Sequence, residues 1–465
     1  MLYLELLVFI FPVIFIMYVF SLRWKKSIAI VLILIVLEGV LRKWVLPQAS
    51  SYIYFVKDLI LLGAYFGYFF SVKKRAKIKN SYIKLFIYSL LLWGTLQVFN
   101  PSLGSPIIGI FGIKVYFLYI PIIFILPDLF RTQENFYKFV RHYLLLVIPV
   151  CLLGVAQFFS PVSSPINFYA GGNDIVSTFG TGANDAARIT GTFPYITGFG
   201  TYLAVCFTLI LPLLTKPQTI LWRWITIAEG LLIVATSFMT GSRSVVFYEG
   251  IFIICYILIL WVKRPNQTFR SFQKLVIPIL VITILTPAWF GKGVDIFSQR
   301  AITNQTEGST RLTAPLIQSW EIMQFKGLDS YGIGTAYQAT PLLRSTLNLP
   351  MGERIPGTDS EPPRIMIELG PLGFILWYGL RLALIISLWQ VFNRLEKPFL
   401  RQLALAVFLF NLIQVTTPVV FNPTMGIYYW FLAGFIFLLP ELERREKEYL
   451  YYQQYEQQLE AERHV

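Results

Sequence analysis

The chain has 465 residues, of which 56% are hydrophobic and 14% charged, and its mean hydropathy is +0.62. This composition excludes a soluble globular protein, in which about a quarter of the residues are charged. The formal net charge is +14, but the basic residues lie mostly in short connectors, so membrane orientation explains them better than a nucleic-acid partner.

Apolar runs of roughly twenty residues recur along the whole chain, and a run of this length crosses a bilayer as a helix. They predict an all-α polytopic membrane protein with about 12 to 14 transmembrane helices. The first run has no basic segment before it, which is typical of a span rather than of a cleavable signal. The fifth run contains two glycines and Lys114 and is expected to be broken or re-entrant. The predicted spans lie at about 2–20, 27–41, 53–70, 83–99, 107–126, 136–159, 187–214, 220–239, 245–262, 272–290, 370–392, 400–417 and 425–439.

Lys and Arg residues concentrate in alternate connectors, and the cytoplasmic connectors are those in which they accumulate. The two sets alternate without exception, so the N-terminus is predicted outside and the C-terminal tail inside. The hairpin tip at 240–244 and the long connector at about 291–369 then face outward. The basic connectors are 21–26, 72–79, 263–274 and 393–401, and those without Lys or Arg are 100–106, 160–185 and 418–424.

Five regions follow from this pattern. The long connector contains helix-like stretches, turns and mixed charge, so it is predicted to fold as a cap on the membrane domain. The tail is rich in Glu, Gln, Tyr and Arg and is predicted to be a polar helix at the cytoplasmic surface. The regions are N-terminal transmembrane helices at 1–183, core transmembrane helices with arginine motifs at 184–290, one large extracytoplasmic loop domain at 291–369, C-terminal transmembrane helices at 370–440 and the cytoplasmic tail at 441–465.

The connector from Thr240 to Ser244 reads Thr-Gly-Ser-Arg-Ser and joins two predicted spans. Its small residues leave the Arg243 guanidinium within reach of a ligand, and a guanidinium fits phosphate oxygens in a fork. Two interpretations stay open. One is a tight turn with an arginine anchored at the interface, and the other is a phosphate site at the membrane surface.

Further polar groups fall on the same predicted face. Arg188 lies where the seventh span is predicted to begin, and the N–H groups at a helix start favour anions. The long connector contains Arg311, and it ends with an Asp-Ser-Glu-Pro-Pro-Arg run from Asp359 to Arg364. Arg311 and Arg364 are candidates for phosphate or acceptor contacts, with loop salt bridges as the alternative.

Charged residues also flank the connector between the second and third spans. Arg42 and Lys43 lie on the outer side, against the general charge trend, next to Glu38 and across the connector from Lys57 and Asp58. They form either an interfacial salt-bridge cluster or a second contact for a lipid phosphate or an acceptor.

Other titratable residues show no site pattern. Glu229 and Glu249 lie within spans, where a charge is costly, and are expected to pair inside the bundle. The three cysteines lie in apolar runs, and the two histidines cannot form a metal site by themselves. No metal and no cofactor is predicted.

Four motifs occur in a fixed order on the predicted outer face. They are Arg-x-x-Gly-Thr-Phe from Arg188, the Thr-Gly-Ser-Arg tip, a loop helix opened by Arg311 that ends in Gly-x-Gly, and a Glu-Leu-Gly-x-Leu-Gly helix start at Glu368. Over about residues 184–380 the chain resembles the superfamily of O-antigen ligases and Wzy-type O-antigen polymerases of bacterial envelopes. The resemblance implies a metal-independent membrane glycosyltransferase with a type-C-like architecture.

The resemblance also implies roles for individual residues. The donor would be an undecaprenyl-pyrophosphate-linked oligosaccharide, and Arg188 and Arg243, matched by motif, would hold its pyrophosphate. Glu361 is the first candidate for a general base that takes the proton of the acceptor hydroxyl, followed by Asp359. The implied partners are the lipid-linked donor and acceptor, membrane lipids, a chain-length regulator and a flippase, at the outer face of the bacterial plasma membrane.

One departure from the family pattern bears on the activity. Ligases of the superfamily commonly carry a His shortly before the Glu-x-Gly helix start, whereas the long connector of this chain has none. We therefore expect a polymerase that joins oligosaccharide repeat units into an O-antigen, a capsule or an exopolysaccharide. A ligase that transfers polysaccharide to a lipid or protein, and a small-anion transporter, are the alternatives.

Single-cysteine labelling tests the topology directly. In a protein that lacks the three native cysteines, an impermeant thiol reagent added outside should label a cysteine at Ser345 and not one at Lys77, because basic connectors stay inside. Permeabilised membranes, in which position 77 becomes reactive, provide the control. Labelling at position 77 with none at position 345 would reverse the orientation.

Overall fold

The computed structural model describes residues 2–73, 75–76, 81–171, 176–179, 186–263 and 306–463. For residues 2–10, 179, 306–312, 461 and 463 it describes the backbone alone. The predicted tenth span at 272–290 lies outside the described residues, as do parts of the connectors at 72–79 and 263–274.

Helices make up most of the described chain. The first part contains α1 (Leu2–Leu22), α2 (Trp24–Val40) with a short π-helix after it (Leu41–Val45), α3 (Ser50–Ser71), α4 (Ser81–Gln97), α5 (Pro106–Phe117), α6 (Ile122–Leu129), α7 (Gln133–Leu144) and α8 (Val147–Phe159). Strands β1 (Thr178–Phe179) and β2 (Ala186–Ala187) follow and pair antiparallel. The second part contains α9 (Ile196–Thr215), α10 (Ile220–Met239), α11 (Arg243–Lys263), α12 (Thr306–Lys326), α13 (Thr340–Thr346), α14 (Glu361–Arg394), α15 (Pro398–Ile413), α16 (Pro423–Ala433) and α17 (Phe435–Arg463).

Two predicted spans are each divided into two helices, and proline explains both breaks. Pro121 has no N–H to donate to the carbonyl of Phe117, where α5 ends, and α6 begins after it. Pro149 likewise cannot donate to Leu145, which lies between α7 and α8. The fifth predicted span is therefore broken, as the sequence indicates.

Eight helical segments in the described residues are long and apolar enough to cross a membrane. Two shorter apolar helices, Phe11–Leu22 and Pro398–Ile413, accompany them. These segments confirm a multi-pass, all-α membrane protein. The prediction of about 12 to 14 spans also counted α2 and α4. Each of these helices has 17 residues, whereas the shortest of the eight segments has 20.

α9 lies at the centre of the bundle. In its most apolar window 89% of the residues are buried, against 33% for α11. α9 packs against α10, α11, α15 and α16. Among the described residues, α9 is enclosed by protein, whereas most of the surface of α11 is not covered.

Contacts between connectors divide the helix ends into two groups. In one group Trp44 Nε1 donates to the carbonyl of Pro165 at 3.1 Å. In the other group the Asp128 carboxylate accepts from the Ala76 N–H at 3.1 Å. Each contact joins connectors that the alternating topology assigns to the same side, so we name the first group the outer end and the second the inner end.

α14 changes direction at Gly370. This residue has φ +65° and ψ −174°, which are not helical, and Pro371 follows it. The part before Gly370 is therefore a separate short helix of the loop region. The membrane-spanning part begins close to the predicted start at 370.

The Gly-x-Gly loop packs directly on the broken fifth span. Gly334 has φ +91°, and a Cβ on it would lie 2.6 Å from the carbonyl oxygen of Ile108 in α5. A Cβ on Gly112 would lie 2.6 Å from the backbone nitrogen of Gly334. Backbone meets backbone at this point, which only glycine permits. These glycines hold the loop onto the membrane helices.

Gly112→Ala should destabilise the folded protein by about 1–3 kcal/mol, because the added methyl group overpacks this contact. The measurement is the thermal unfolding temperature in detergent. Gly250→Ala is the matched control, since a Cβ there meets nothing within 4 Å. An unfolding temperature of Gly112→Ala equal to that of wild type would contradict the close approach.

Candidate functional site

Arg188 does not start a helix. α9 begins only at Ile196, and the N–H of Arg188 donates to the Ser177 carbonyl at 2.8 Å from an extended stretch after β2. Gly191 has φ +53°, and Pro194 disfavours helical geometry in the residue before it, so the chain turns before the helix forms. The predicted helix-start position of Arg188 is therefore wrong, and the argument from free helix N–H groups does not apply.

The Arg188 side chain reaches the tip between α10 and α11. Its Nε donates to the Thr240 carbonyl at 3.0 Å, and one Nη lies 3.5 Å from the Gly241 carbonyl. Gly241 has φ +63°, and Arg243 is the first residue of α11. The two arginines matched by motif thus belong to segments in direct contact. Arg188 also helps to hold the tip in shape.

Lys43 fixes the segment between Arg188 and α9 to the end of α2. Its ammonium donates to Thr190 Oγ1 and to the Gly191 carbonyl, both at 2.9 Å. Burial lowers the pKa of Lys43 to about 7. The Gln157 side chain adds to this attachment by accepting the Gly191 N–H at 2.7 Å. Lys43 therefore holds the loop and does not present its ammonium to a bound phosphate.

A cavity of about 360 Å³ opens beside this segment at the outer end. Charged residues of α2 and α3, aromatic rings and amide groups share its wall. Residues that line it include Glu38, Arg42, Tyr54, Lys57, Tyr195 and Asn422. We name it the outer cavity.

Glu38 holds two cations at the wall of the outer cavity. Its oxygens lie 2.7 Å from Arg42 and 3.0 Å from Lys57. The Arg42 Nε also donates to Ser50 Oγ at 3.0 Å, and its guanidinium lies 5.5 Å from the centre of the Tyr54 ring. The predicted salt-bridge cluster is therefore present, and the same residues line a cavity with a net positive wall.

A second layer behind the outer cavity was missed from sequence. Lys114 of α5 pairs with Asp58 at 2.5 Å, and the Tyr119 hydroxyl donates to the same carboxylate at 2.7 Å. The hydroxyl groups of Tyr54 and Tyr337 lie 2.6 Å apart, which joins the loop region to α3. Two sequence signals existed for this layer, Lys114 within an apolar run and Asp58 across the connector from Arg42, but nothing in the sequence joined them.

Glu361 is enclosed by protein. One oxygen accepts from Arg381 at 2.9 Å and from Trp377 Nε1 at 3.3 Å. The other oxygen accepts the N–H groups of Val419 and Val420. Both oxygens are occupied and the side chain is 0% exposed. An acceptor hydroxyl cannot approach, so the predicted role of Glu361 as general base is incompatible with this arrangement.

Arg364 is the loop arginine that lies beside the outer cavity. Its guanidinium donates twice to the Thr358 carbonyl, at 3.0 and 3.2 Å, and lies 5.2 Å from the centre of the Phe421 ring, which lines the cavity. Asp359 is exposed and does not line the cavity. Arg311 belongs to α12, and its side chain lies outside the described part of the chain.

The chain matches no protein-family model, no curated protein and no solved structure. Within the described ranges, no group of three or more His, Cys, Asp or Glu side chains could hold a metal ion. In the described part of the outer end, the connector from Thr240 to Ser244, which we name the arginine tip, and the outer cavity are the features whose charged residues suit a ligand.

Glu361→Gln should destabilise the fold rather than only slow a reaction. Loss of the charge leaves Arg381 buried without its ion pair, and breaking a buried pair costs about 3–5 kcal/mol. The thermal unfolding temperature in detergent should fall accordingly. Asp359→Asn, at an exposed neighbouring position, should leave it unchanged. If both variants unfold at the wild-type temperature, the carboxylate has no structural role.

Proposed function

We propose that the chain is a membrane glycosyltransferase that polymerises undecaprenyl-pyrophosphate-linked oligosaccharide repeat units. The reaction would take place on the outer face of the bacterial plasma membrane and yield an O-antigen, a capsule or an exopolysaccharide. Donor and acceptor would both be lipid-linked, and a flippase and a chain-length regulator are the expected partners. The motif resemblance and the geometry of the outer end support this proposal together.

The segment from Arg188 to Tyr195 carries the proposal. At its start the Arg188 guanidinium contacts the tip, and at its end Pro194 and Tyr195 line the outer cavity. Lys43 fixes the residues in between. A donor pyrophosphate at the tip and an acceptor sugar in the cavity would then be neighbours on one surface.

The reaction requires stabilisation of a leaving pyrophosphate. The bond between the sugar C1 and the phosphate oxygen breaks while the acceptor hydroxyl oxygen bonds to C1, and negative charge develops on the leaving phosphate oxygen. The hydroxyl proton passes to water or to the leaving pyrophosphate. Fixed guanidinium groups stabilise this charge more in the transition state than in the ground state. We assign this role to Arg243, with Arg188 as the residue that positions the tip and adds a second positive charge.

The outer cavity suits the end of a carbohydrate acceptor. The rings of Tyr54, Tyr195 and Phe421 offer flat apolar faces to sugar C–H groups, while Arg42 and Asn422 offer hydrogen-bond donors to hydroxyls. Its volume of about 360 Å³ lies within the usual range for small-molecule sites, about 300–1,000 Å³.

Among the described residues that line the outer cavity, no free carboxylate is available to take the acceptor proton. Glu361 is enclosed, and Asp359 is exposed away from the outer cavity. Glu38 lines the cavity, but two cations hold its oxygens. Catalysis would therefore rest chiefly on arginine stabilisation of the leaving group and on positioning of the acceptor.

Arg243→Lys should reduce polymer synthesis roughly 100-fold, because the charge remains but the planar fork is lost. The measurement is the ladder of products formed by purified protein in vesicles from a lipid-linked oligosaccharide. Arg223→Lys makes the same change at an exposed residue near the inner end of α10 and should keep full activity.

Three outcomes would redirect the proposal. Full polymer synthesis by Arg243→Lys would remove the tip from the reaction. Transfer of preformed polymer to a lipid or protein acceptor without chain growth would identify a ligase. Uptake of a labelled small anion by the same vesicles, with no polymer formed, would identify a transporter.

A further inference from the structure

A second cavity lies at the inner end of the bundle, which the predicted topology places in the cytoplasm. Its volume is about 410 Å³, and it lies between the start of α2, the end of α3, the end of α6 and α17. We name it the inner cavity. Its lining residues are Trp24, Lys25, Val72, Asp128, Arg131 and Arg445.

The lining contains three cationic side chains and one carboxylate, that of Asp128, which already accepts hydrogen bonds from the protein. Asp128 accepts from the Tyr68 hydroxyl at 2.8 Å and from the Ala76 N–H at 3.1 Å. Arg445 lies 3.8 Å from Asp128 but only 2.7 Å from Glu441. Asp128 and Arg445 thus have protein partners, so their hydrogen bonds do not require a ligand.

Lys25 and Arg131 differ from the other charged residues of the inner cavity. Neither forms an ion pair with any residue in the described part of the chain. The Lys25 ammonium lies 5.3 Å from the centre of the Trp24 ring. The neighbouring connector at 72–79 contains Lys and Arg but no acidic residue, so its sequence supplies no counter-charge. Within the described ranges, the inner cavity therefore keeps two positive charges, beside Asp128, that no ion pair within 4 Å neutralises.

The chemistry of this pair fits a phosphate group. An arginine fork and a lysine ammonium are the side chains that most often bind phosphate oxygens. The Trp24 ring, packed edge-on against Tyr68 at 5.0 Å, forms an apolar part of the wall. Basic pockets between transmembrane helices on the cytoplasmic side receive anionic lipid headgroups.

We propose that the inner cavity binds a phosphate group through Lys25 and Arg131, with an anionic phospholipid headgroup as its source. The cavity is larger than a phosphate ion and leaves room for the attached glycerol. A headgroup bound to both residues would join the start of α2 to the connector between α6 and α7. This site is separate from the arginine tip and the outer cavity, so it stands independently of the proposed enzymatic activity.

Native mass spectrometry of the full-length protein in detergent tests the site. The protein is titrated with phosphatidylglycerol, with phosphatidylcholine and with inorganic phosphate, and bound species are counted. Wild type should retain phosphatidylglycerol in preference to phosphatidylcholine. The double variant Lys25→Gln/Arg131→Gln should bind phosphatidylglycerol roughly tenfold more weakly, because charge-assisted hydrogen bonds are lost. Lys25→Arg/Arg131→Lys keeps both charges and should keep binding.

The matched control removes one Lys and one Arg at the same end of the bundle, away from the inner cavity. Lys138→Gln/Arg223→Gln serves this purpose, since both residues are exposed, and it should bind like wild type. Inorganic phosphate that binds to wild type but not to Lys25→Gln/Arg131→Gln would support the phosphate chemistry and assign a free ion as the ligand. Equal phosphatidylglycerol binding by wild type and Lys25→Gln/Arg131→Gln, at equal unfolding temperatures without lipid, would overturn the proposal.

Discussion

Pairing of buried charges governs how the helices of this protein are arranged. An unpaired charge in a low-dielectric interior is costly, so a buried charged side chain requires a partner from elsewhere in the chain. Glu38 joins α2 to α3 through Lys57, and Arg141 meets Glu229 at 2.9 Å, which joins α7 to α10. The enclosed Glu361 carboxylate fastens the loop region to the connector before α16. The outer cavity takes part of its wall from the Glu38–Lys57 pair.

The helical bundle follows from the sequence wherever apolarity and helix boundaries coincide. The span predicted at 220–239 matches α10, Ile220–Met239, because Thr219 caps its start and Gly241 turns the chain just beyond its end. The span predicted at 187–214 begins too early. Residues 187–195 include an arginine, two threonines and Pro194, and Gly191 turns the chain there with φ +53°. The apolar helix therefore starts only at Ile196.

The sequence indicates which residue types occur at the candidate site, but it does not indicate which other residues of the chain contact them. A carboxylate in an outer loop beside a helix start is a reasonable base from sequence, yet Arg381 and the Val419 and Val420 N–H groups that enclose Glu361 come from much later in the chain. The outer cavity likewise combines residues from Glu38 to Thr424. Such distant pairings depend on tertiary packing, which local patterns do not contain.

The last helix, α17, has a mechanical consequence. It has 29 residues, which at the usual rise per residue is roughly 44 Å. The Glu443 carboxylate accepts the N–H groups of Glu396 and Lys397, at 2.9 and 2.7 Å, and holds the helix part of the way along. Pro440, three residues before Glu443, removes one backbone hydrogen bond of the helix close to this attachment. A sideways force on the exposed arm beyond Glu443 would therefore bend the helix near Pro440 before it moved the buried helices.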